Sequence, residues 1–556
     1  MVEYMAFFPN EYEKSFNYDI INSTQDLPIE DFIIMAMKEF EAVENIEILD
    51  IKIVNEQHKV NLNNHIVNVN YKKKDIYDFE VPKYNFVNPS RYGEIIFTIK
   101  VSTNLNEKII EKPILYPLEY EGFYYNNGKK MKAIWQLVDA STYAQRGKTT
   151  LKGRMPIIIY QNKNRMITDV EGTEHICHSY SYALNGKSKI GLVKAKPKFI
   201  PPLMVMCAKM GLDDTVDFFG MKDIVFIDKD WNEEDLKTFY VFELDNIYLK
   251  VFRNLFDKYE LVSSFVTMLY NIRSKDFPLD FDNINDTEYW ICRVGTLGSA
   301  KNKNIFSFKA KGLTTMYMIE RLLDEITKMN LRIPEYYKQN IYYLMYWMIT
   351  NFDNIRSHSN IDMANKRIRK NEHIVFSSLG KKINENLNKL IEKKGKSKMN
   401  TMDTLLELFN FPSDIIMSGM RNSNDLIKTD DIVNDLNFLL DLSYSAKGYQ
   451  AIGADGVKKI SNKYRYLHPS MAGKLDLNTS SNSDVGLSGS LVPTVKLYDR
   501  YYFTDEKPYY ANRYNFDKEL KRTRKASAES YIDDLYKNDK FKDKLKYIPI
   551  EIVEKE

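Results

Sequence analysis

Six of the chain's 22 glycines fall between Gly448 and Gly489, among serines, threonines and lysines, in a sequence otherwise poor in glycine. Lys447, Lys458, Lys459, Lys463, Arg465 and Lys474 flank or thread between them. Glycine lacks a Cβ, so φ can be positive and another backbone can come close. Backbone N–H groups in such loops, helped by Lys and Ser/Thr side chains, bind phosphates without reading bases. The chemistry this stretch suits is contact with a nucleic-acid backbone; a loop held by Asx and Ser turns is the plainer alternative. His468, beside Pro469, is explained by donation to a backbone carbonyl without any proton shuttling.

Other reactive-looking residues lack the partners their chemistry needs. "GKTT" (Gly147 to Thr150) is the tail of a phosphate-binding loop, but Thr142 stands where its companion glycine belongs. "HICH" groups His175, Cys177 and His178 with no second ligand pair at matched spacing. Asp276, Asp280, Asp282 and Asp286 could hold a cation, yet no glycine makes the sharp turn that would fold them onto one ion. The basic runs Lys72–Lys74, Lys393–Lys398 and Lys521–Lys525 read first as solvated faces. No nucleophile elbow, dinucleotide fingerprint or zinc-protease helix occurs. The sequence therefore contains no catalytic residue set and no metal site of its own.

These residues sit in a chain of 556 with 79 Lys+Arg against 76 Asp+Glu, so a contact with a polyanion must come from local clusters. Three separated cysteines argue against a disulfide framework and for a reducing compartment. The first residues lack the pattern of a signal peptide, and the best apolar run, Tyr342 to Ile349, is too short to span a bilayer. The expectation is a cytoplasmic protein with no membrane anchor.

The elements that must position the glycine-rich stretch read as α+β and multidomain. Alternation predicts strands over 47–70, in "GEIIFTIKVS" and in "RMPIIIYQ", and the Asn-Gly pair in "GFYYNNGKKMKAIWQLV" predicts a hairpin. From about residue 200 a helical period takes over. It places Met316, Ile319, Leu322, Leu323 and Ile326 on one face, and Ile383, Leu387, Leu390 and Ile391 on another. Residues 401–445 read as helical, and a charged tail follows from about Asp517.

Three segments resemble the β subunits of multi-subunit RNA polymerases. "AIGADGV", "RYLHPSMAGK" and "VGLSGSL" are similar to the family's fork region, with Arg465, His468, Pro469, Gly473 and Lys474 in register. "IDMANKRIRK" resembles the family's Gly-Asn-[Arg/Lys]-Arg segment through Asn365, Lys366, Arg367 and Arg369. "PLEYEGFYYNNGKKMKAIWQ" resembles its Gly-x-Phe-x-Ile-Asn-Gly hairpin through Gly122, Asn127, Gly128 and Gln136. The likeness runs from about residue 116 to 491 and is thin between about 160 and 350.

The resemblance implies a protrusion-like domain in two parts, 1–155 and 356–440, a lobe-like domain at 156–355, a fork-like region at 441–495, and a tail at 496–556 that docks on a C-terminal β half. Since whole β subunits are about twice as long, it implies the N-terminal half of a split β subunit of the giant-phage type. Its partners would be the C-terminal β half, the β′ polypeptides, a promoter-specificity subunit, DNA template and RNA. Magnesium would be held by β′ and no cofactor by this chain. Lys447, Lys458, Lys459, Arg465 and Lys474 would touch phosphate or the RNA–DNA hybrid; Lys366, Arg367 and Arg369 would face downstream DNA or hold the joint between domains. The enzyme would work in the host cytoplasm or be packaged in the virion. A phage structural or DNA-packaging protein is the rival reading. Two departures stand out. "TSSNSD" replaces the family's acidic-glycine loop, and Ser445 and Gly448 replace the His and Arg of its antibiotic-binding segment, which implies insensitivity to rifampicin.

Overall fold

The computed structural model describes residues 27–54, 92–184, 198–297, 305–352, 362–394, 402–421, 426–429, 442–451, 467–476 and 487–504, with short internal gaps, and Lys544 and Leu545. Two compact units emerge. One comprises residues 1–140, 360–507 and 549–556; the other comprises 141–359 and 508–548. Helices and small sheets alternate throughout, so the class is α+β.

The first unit begins with helix α1 (Ile29–Lys38), which buries Ile29, Phe32, Ile33, Ala36 and Met37 along one stripe. Strands β1 (Ile46–Val54), β2 (Tyr92–Ser102) and β3 (Glu107–Pro117) form an antiparallel meander. In β2 the alternation is clean: Ile95, Phe97, Ile99 and Val101 are buried, and the residues between them are partly exposed. The other half of the strand pair expected over 47–70 lies outside the described residues.

The Asn-Gly hairpin forms as its residues predict. β5 (Phe123–Asn126) pairs with β6 (Lys129–Ala133) in a register with Asn126 opposite Lys129, so the connection is two residues. With β4 (Glu119–Tyr120) and β17 (Ile427–Thr429) they make a sheet of order β17-β6-β5-β4. A second sheet gathers residues far apart in sequence. Its order is β16 (Lys366–Arg369), β7 (Trp135–Asp139), β18 (Ser443–Ser445), β19 (Ser488–Ser490), and β18 runs parallel to β7. Trp135, Leu137, Ile368, Tyr444, Leu487 and Leu491 share the core beneath it.

In the second unit, β8 (Thr142–Gln145), β9 (Lys148–Lys152), β10 (Pro156–Thr168), β11 (Glu174–Leu184) and β12 (Lys198–Ile200) build an antiparallel sheet. Its inner residues Ile157, Ile159, Ile167, Cys177 and Tyr180 join a large core with helices α2 (Pro202–Met210), α3 (Glu260–Asn271), α4 (Thr287–Thr296), α5 (Ile305–Glu320) and α6 (Ile341–Thr350). The apolar run of Tyr342 to Ile349 is the middle of α6, buried on every side. Among the described residues no helix is long and apolar enough to cross a membrane. From the tail, Leu545 is buried in this core, and Asn340 donates to its carbonyl at 3.4 Å.

Several expectations need correction. A three-stranded sheet, β13 (Val225–Asp228), β15 (Ile247–Phe252) and β14 (Phe239–Leu244), interrupts the region read as helical. Its hairpin turns on Asp245 at φ 39°, an aspartate doing what glycine usually does, so the punctuation was missing. The helical face from Met316 to Ile326 is buried as expected, but the helix stops at Glu320; Asp324 caps a new one by accepting from the Thr327 N–H at 2.6 Å. Residues 401–445 hold short helices up to Arg421 and then strands β17 and β18, with 430–441 outside the described residues.

Candidate nucleic-acid interface

The sheet of β16, β7, β18 and β19 places the three motif segments side by side. Gln136 on β7 lies opposite Arg369 on one flank and Ser445 on the other. Its side chain bridges them: Arg369 Nε donates to Gln136 Oε1 at 2.7 Å, and Gln136 Nε2 donates to the Lys447 carbonyl at 2.8 Å. Gln136 is fully buried, so each bond also satisfies a polar atom that water cannot reach.

Helix α7 (Asn371–Val375) follows β16 after one residue and carries the counter-charge. Arg367 grips Glu372 with two bonds of 2.9 Å, and Arg369 Nη1 reaches the same carboxylate at 2.8 Å. Lys366 pairs with Asp139, and Lys370 pairs with Glu119 at 2.9 Å. Lys366, Arg367 and Arg369 are only 3%, 6% and 3% exposed. All of these partners lie within the first unit, so the pairs tie the triplet internally, and a phosphate would reach these cations only by breaking them. The acidic partners Asp139 and Glu372 were missed in the sequence. Glu372 stands three positions after Arg369, but the pair is made across the junction of β16 and α7, which sequence spacing alone does not specify.

Burial alone would push the Glu372 carboxyl up, but the Arg367 and Arg369 charges and their hydrogen bonds override it and hold it well below the usual carboxylate range. His373 is shifted down: burial disfavours its cation first, and the Arg369 charge adds to that. Among the described residues neither ring nitrogen of His373 has a hydrogen-bond partner. Against this ring packs Gly448, at φ +96°, where a Cβ would sit 3.3 Å from His373 Cε1.

The glycine-rich stretch itself is loop built on this sheet. Gly448 and Gly473 have positive φ, which explains two of the six glycines. Gly453, Gly456 and Gly486 lie outside the described residues, as do Lys458, Lys459 and Arg465. Lys447 is half-buried, with its carbonyl held by Gln136. Lys474 is half-buried at the end of the turn Pro469–Met471, where its carbonyl accepts from Val492 N–H at 3.0 Å. His468 does not use a backbone carbonyl: its Nδ1 accepts from the Ser470 N–H at 3.3 Å and lies 2.7 Å from Ser470 Oγ. Among the described residues this stretch carries two half-buried lysines, Lys447 and Lys474, on the loops that flank the sheet.

A family described as "non-virion RNA polymerase subunit" matches residues 9–518. The chain belongs to that family. No curated protein matches it. It is thus a subunit of a phage non-virion RNA polymerase, with other polypeptides as partners.

The described side chains of the remaining motifs have structural roles in this polymerase subunit; those of the basic runs Lys72–Lys74, Lys393–Lys398 and Lys521–Lys525, and of Asp276, lie outside the described residues. "GKTT" lies on the β8–β9 hairpin, with no strand-to-helix turn to cradle a phosphate. His175 is bound to Asp169 at 2.8 Å inside an aromatic cluster of Tyr240, Phe242 and Phe256. Asp280 closes its own turn by accepting from the Asp282 and Asn283 N–H groups, and Asp286 caps α4. All three cysteines are free and buried; burial pushes the Cys177 thiol up to about 11 and the Cys207 thiol up to about 12. Native protein should therefore resist an aromatic disulfide reagent at pH 8, and three thiols should react once guanidinium unfolds it. A thiol that reacts at the rate of free cysteine in the native chain would contradict this placement.

Proposed function

We propose that this polymerase subunit is the N-terminal half of a split β subunit, lining the DNA and RNA–DNA hybrid channel and supplying no catalytic group. The observation that carries the reading is the convergence on one sheet. The hairpin segment ending at Gln136, the Asn365–Arg369 segment and the end of the fork-like stretch, Val485 to Leu491, resemble the β family separately, and all three contribute strands to this sheet. In this reading Lys366, Arg367 and Arg369 fix the sheet. Lys447, Lys458, Lys459, Arg465 and Lys474 are the contacts to phosphate.

The assembled enzyme would join nucleotides by two-metal phosphoryl transfer. Among the described residues no group of three or more His, Cys, Asp or Glu side chains is placed to hold an ion, and the nearest candidates, Asp280 and Asp286, already serve as a turn and a cap. As the resemblance to β subunits implies, magnesium would be held by the β′ polypeptides. The C-terminal β half and a promoter-specificity subunit would complete the partner set, and the enzyme would work in the host cytoplasm.

The test is a tagged pull-down from infected cells, with every retained polypeptide identified by mass spectrometry. A partner carrying Asn-Ala-Asp-Phe-Asp-Gly-Asp together with a separate C-terminal β polypeptide is the expected result. A polymerase complex in which a different polypeptide supplies the fork segment would overturn the β-half assignment.

A further inference from the structure

We propose that His468 is a nucleic-acid backbone contact, aimed by Ser470 as a neutral hydrogen-bond donor. The inference rests on the channel reading above and adds a residue that its position beside Pro469 made look purely structural.

The Met363 N–H donates to Ser470 Oγ at 2.9 Å, which ties the turn to the segment leading into β16. Because this N–H fills one acceptor site of the hydroxyl, the hydroxyl proton is available for His468 Nδ1, 2.7 Å away. The Ser470 N–H points at the same nitrogen from 3.3 Å. A nitrogen approached by two donors is an acceptor, so the ring proton resides on Nε2. The ring is therefore fixed in both rotamer and tautomer, with an N–H on the side away from the turn. Among the described residues no hydrogen bond or ion pair engages that Nε2.

The platform beneath the ring is rigid. The Val492 N–H binds the Lys474 carbonyl at 3.0 Å, the Asp476 N–H binds the Ser490 carbonyl at 2.8 Å, and Leu475 bridges to Leu491 in the buried core. On this base Leu467 is 66% exposed, a large apolar side chain held out beside the imidazole donor. Lys474, which carries no ion pair among the described residues, closes the same turn. An apolar side chain, a fixed neutral donor and an unpaired cation on one turn suit a sugar–phosphate backbone: Leu467 against the sugar, His468 Nε2–H and Lys474 to phosphate oxygens.

The experiment uses the complete polymerase assembled with variant subunits on a synthetic DNA–RNA scaffold, reading the lifetime of the elongation complex against salt. His468→Asn keeps an acceptor near Nδ1 and removes the outward donor. His468→Gln places an N–H near Nε2 and loses the Ser470 contact. His468→Ala removes both. The expected result is a lifetime shortened about ten-fold by Asn and Ala, the scale of one hydrogen bond to a charged group, with at least half of the loss restored by Gln. A lifetime preserved by Asn and lost with Gln would show the ring to be only a cap and overturn the proposal; so would three variants that all match the native enzyme. The double change Lys458→Glu with Lys459→Glu is the reference. If it also leaves the lifetime unchanged, the channel reading itself falls; if it shortens the lifetime while the His468 variants do not, only the His468 assignment falls.

Discussion

Replacing Glu372 by alanine is expected to cost about 3–5 kcal/mol, the range for leaving a buried charge without its partner. Two guanidiniums, Arg367 and Arg369, converge on this one carboxylate, and all three groups are nearly inaccessible to water. At roughly 2–4 °C per kcal/mol, the melting transition should fall by about 10 °C. Replacing Arg367, Arg369 and Glu372 together by apolar residues of similar volume should recover much of the loss, because the desolvation penalty disappears with the charges. A Glu372→Ala transition within two degrees of the native chain would show the cluster to be hydrated and the joint weaker than its geometry indicates.

The same cluster sets a pH dependence whose sign follows from two depressed groups. His373 is neutral when folded and takes up a proton when unfolded below about 6.5, so stability declines as pH falls through that value. Glu372 stays ionised when folded; its contribution is intact above the ordinary carboxylate range near 4.3 and is lost only below it. Between pH 7 and 5 His373 therefore contributes to the decline and Glu372 does not. In His373→Leu the fall in melting temperature over that window should be shallower, with little loss at pH 7 because two unsatisfied ring nitrogens are removed. Parallel pH profiles for the two chains would assign the decline to other groups.

Gly312→Ala is the second large effect, and it acts in the other unit. Helices α4 and α5 cross where Gly295 meets Phe308 and Gly312 meets Ile291; a Cβ at either glycine would fall well inside contact distance of the facing carbonyl oxygen. Backbone cannot step aside as a side-chain tip can, so the helices must separate, at a cost of about 3 kcal/mol or more. Gly295→Ala should behave alike. Gly172→Ala is the control: its φ is +82°, but no atom lies within 4 Å of the added Cβ, so only local strain of about 1 kcal/mol is expected. Thermal unfolding read with limited proteolysis of residues 141–359 measures all three. Equal stability of Gly312→Ala and Gly172→Ala would mean that the crossing is looser than the backbone positions require.

Local physics was readable in the chain. The hairpin at Asn127–Gly128, the alternation of β2 and the apolar stripe through Ile383, Leu387, Leu390 and Ile391 follow from side-chain periods of two and 3.6 and from a turn that needs positive φ. The resemblance to polymerase β subunits was also legible, since it rests on residue order alone. The fate of the charges was not. Lys366, Arg367 and Arg369 read equally well as a DNA contact and as an internal pair, because a cation's partner is chosen by what folds against it. Asp139 lies 227 residues from Lys366, and Gln136 lies 233 from Arg369. Sheet pairing across such separations decides which charges are buried and satisfied and which remain for a ligand. His468 shows the same division: its sequence places it beside a proline, and only Ser470, itself held by the distant Met363, decides which of its nitrogens carries the proton.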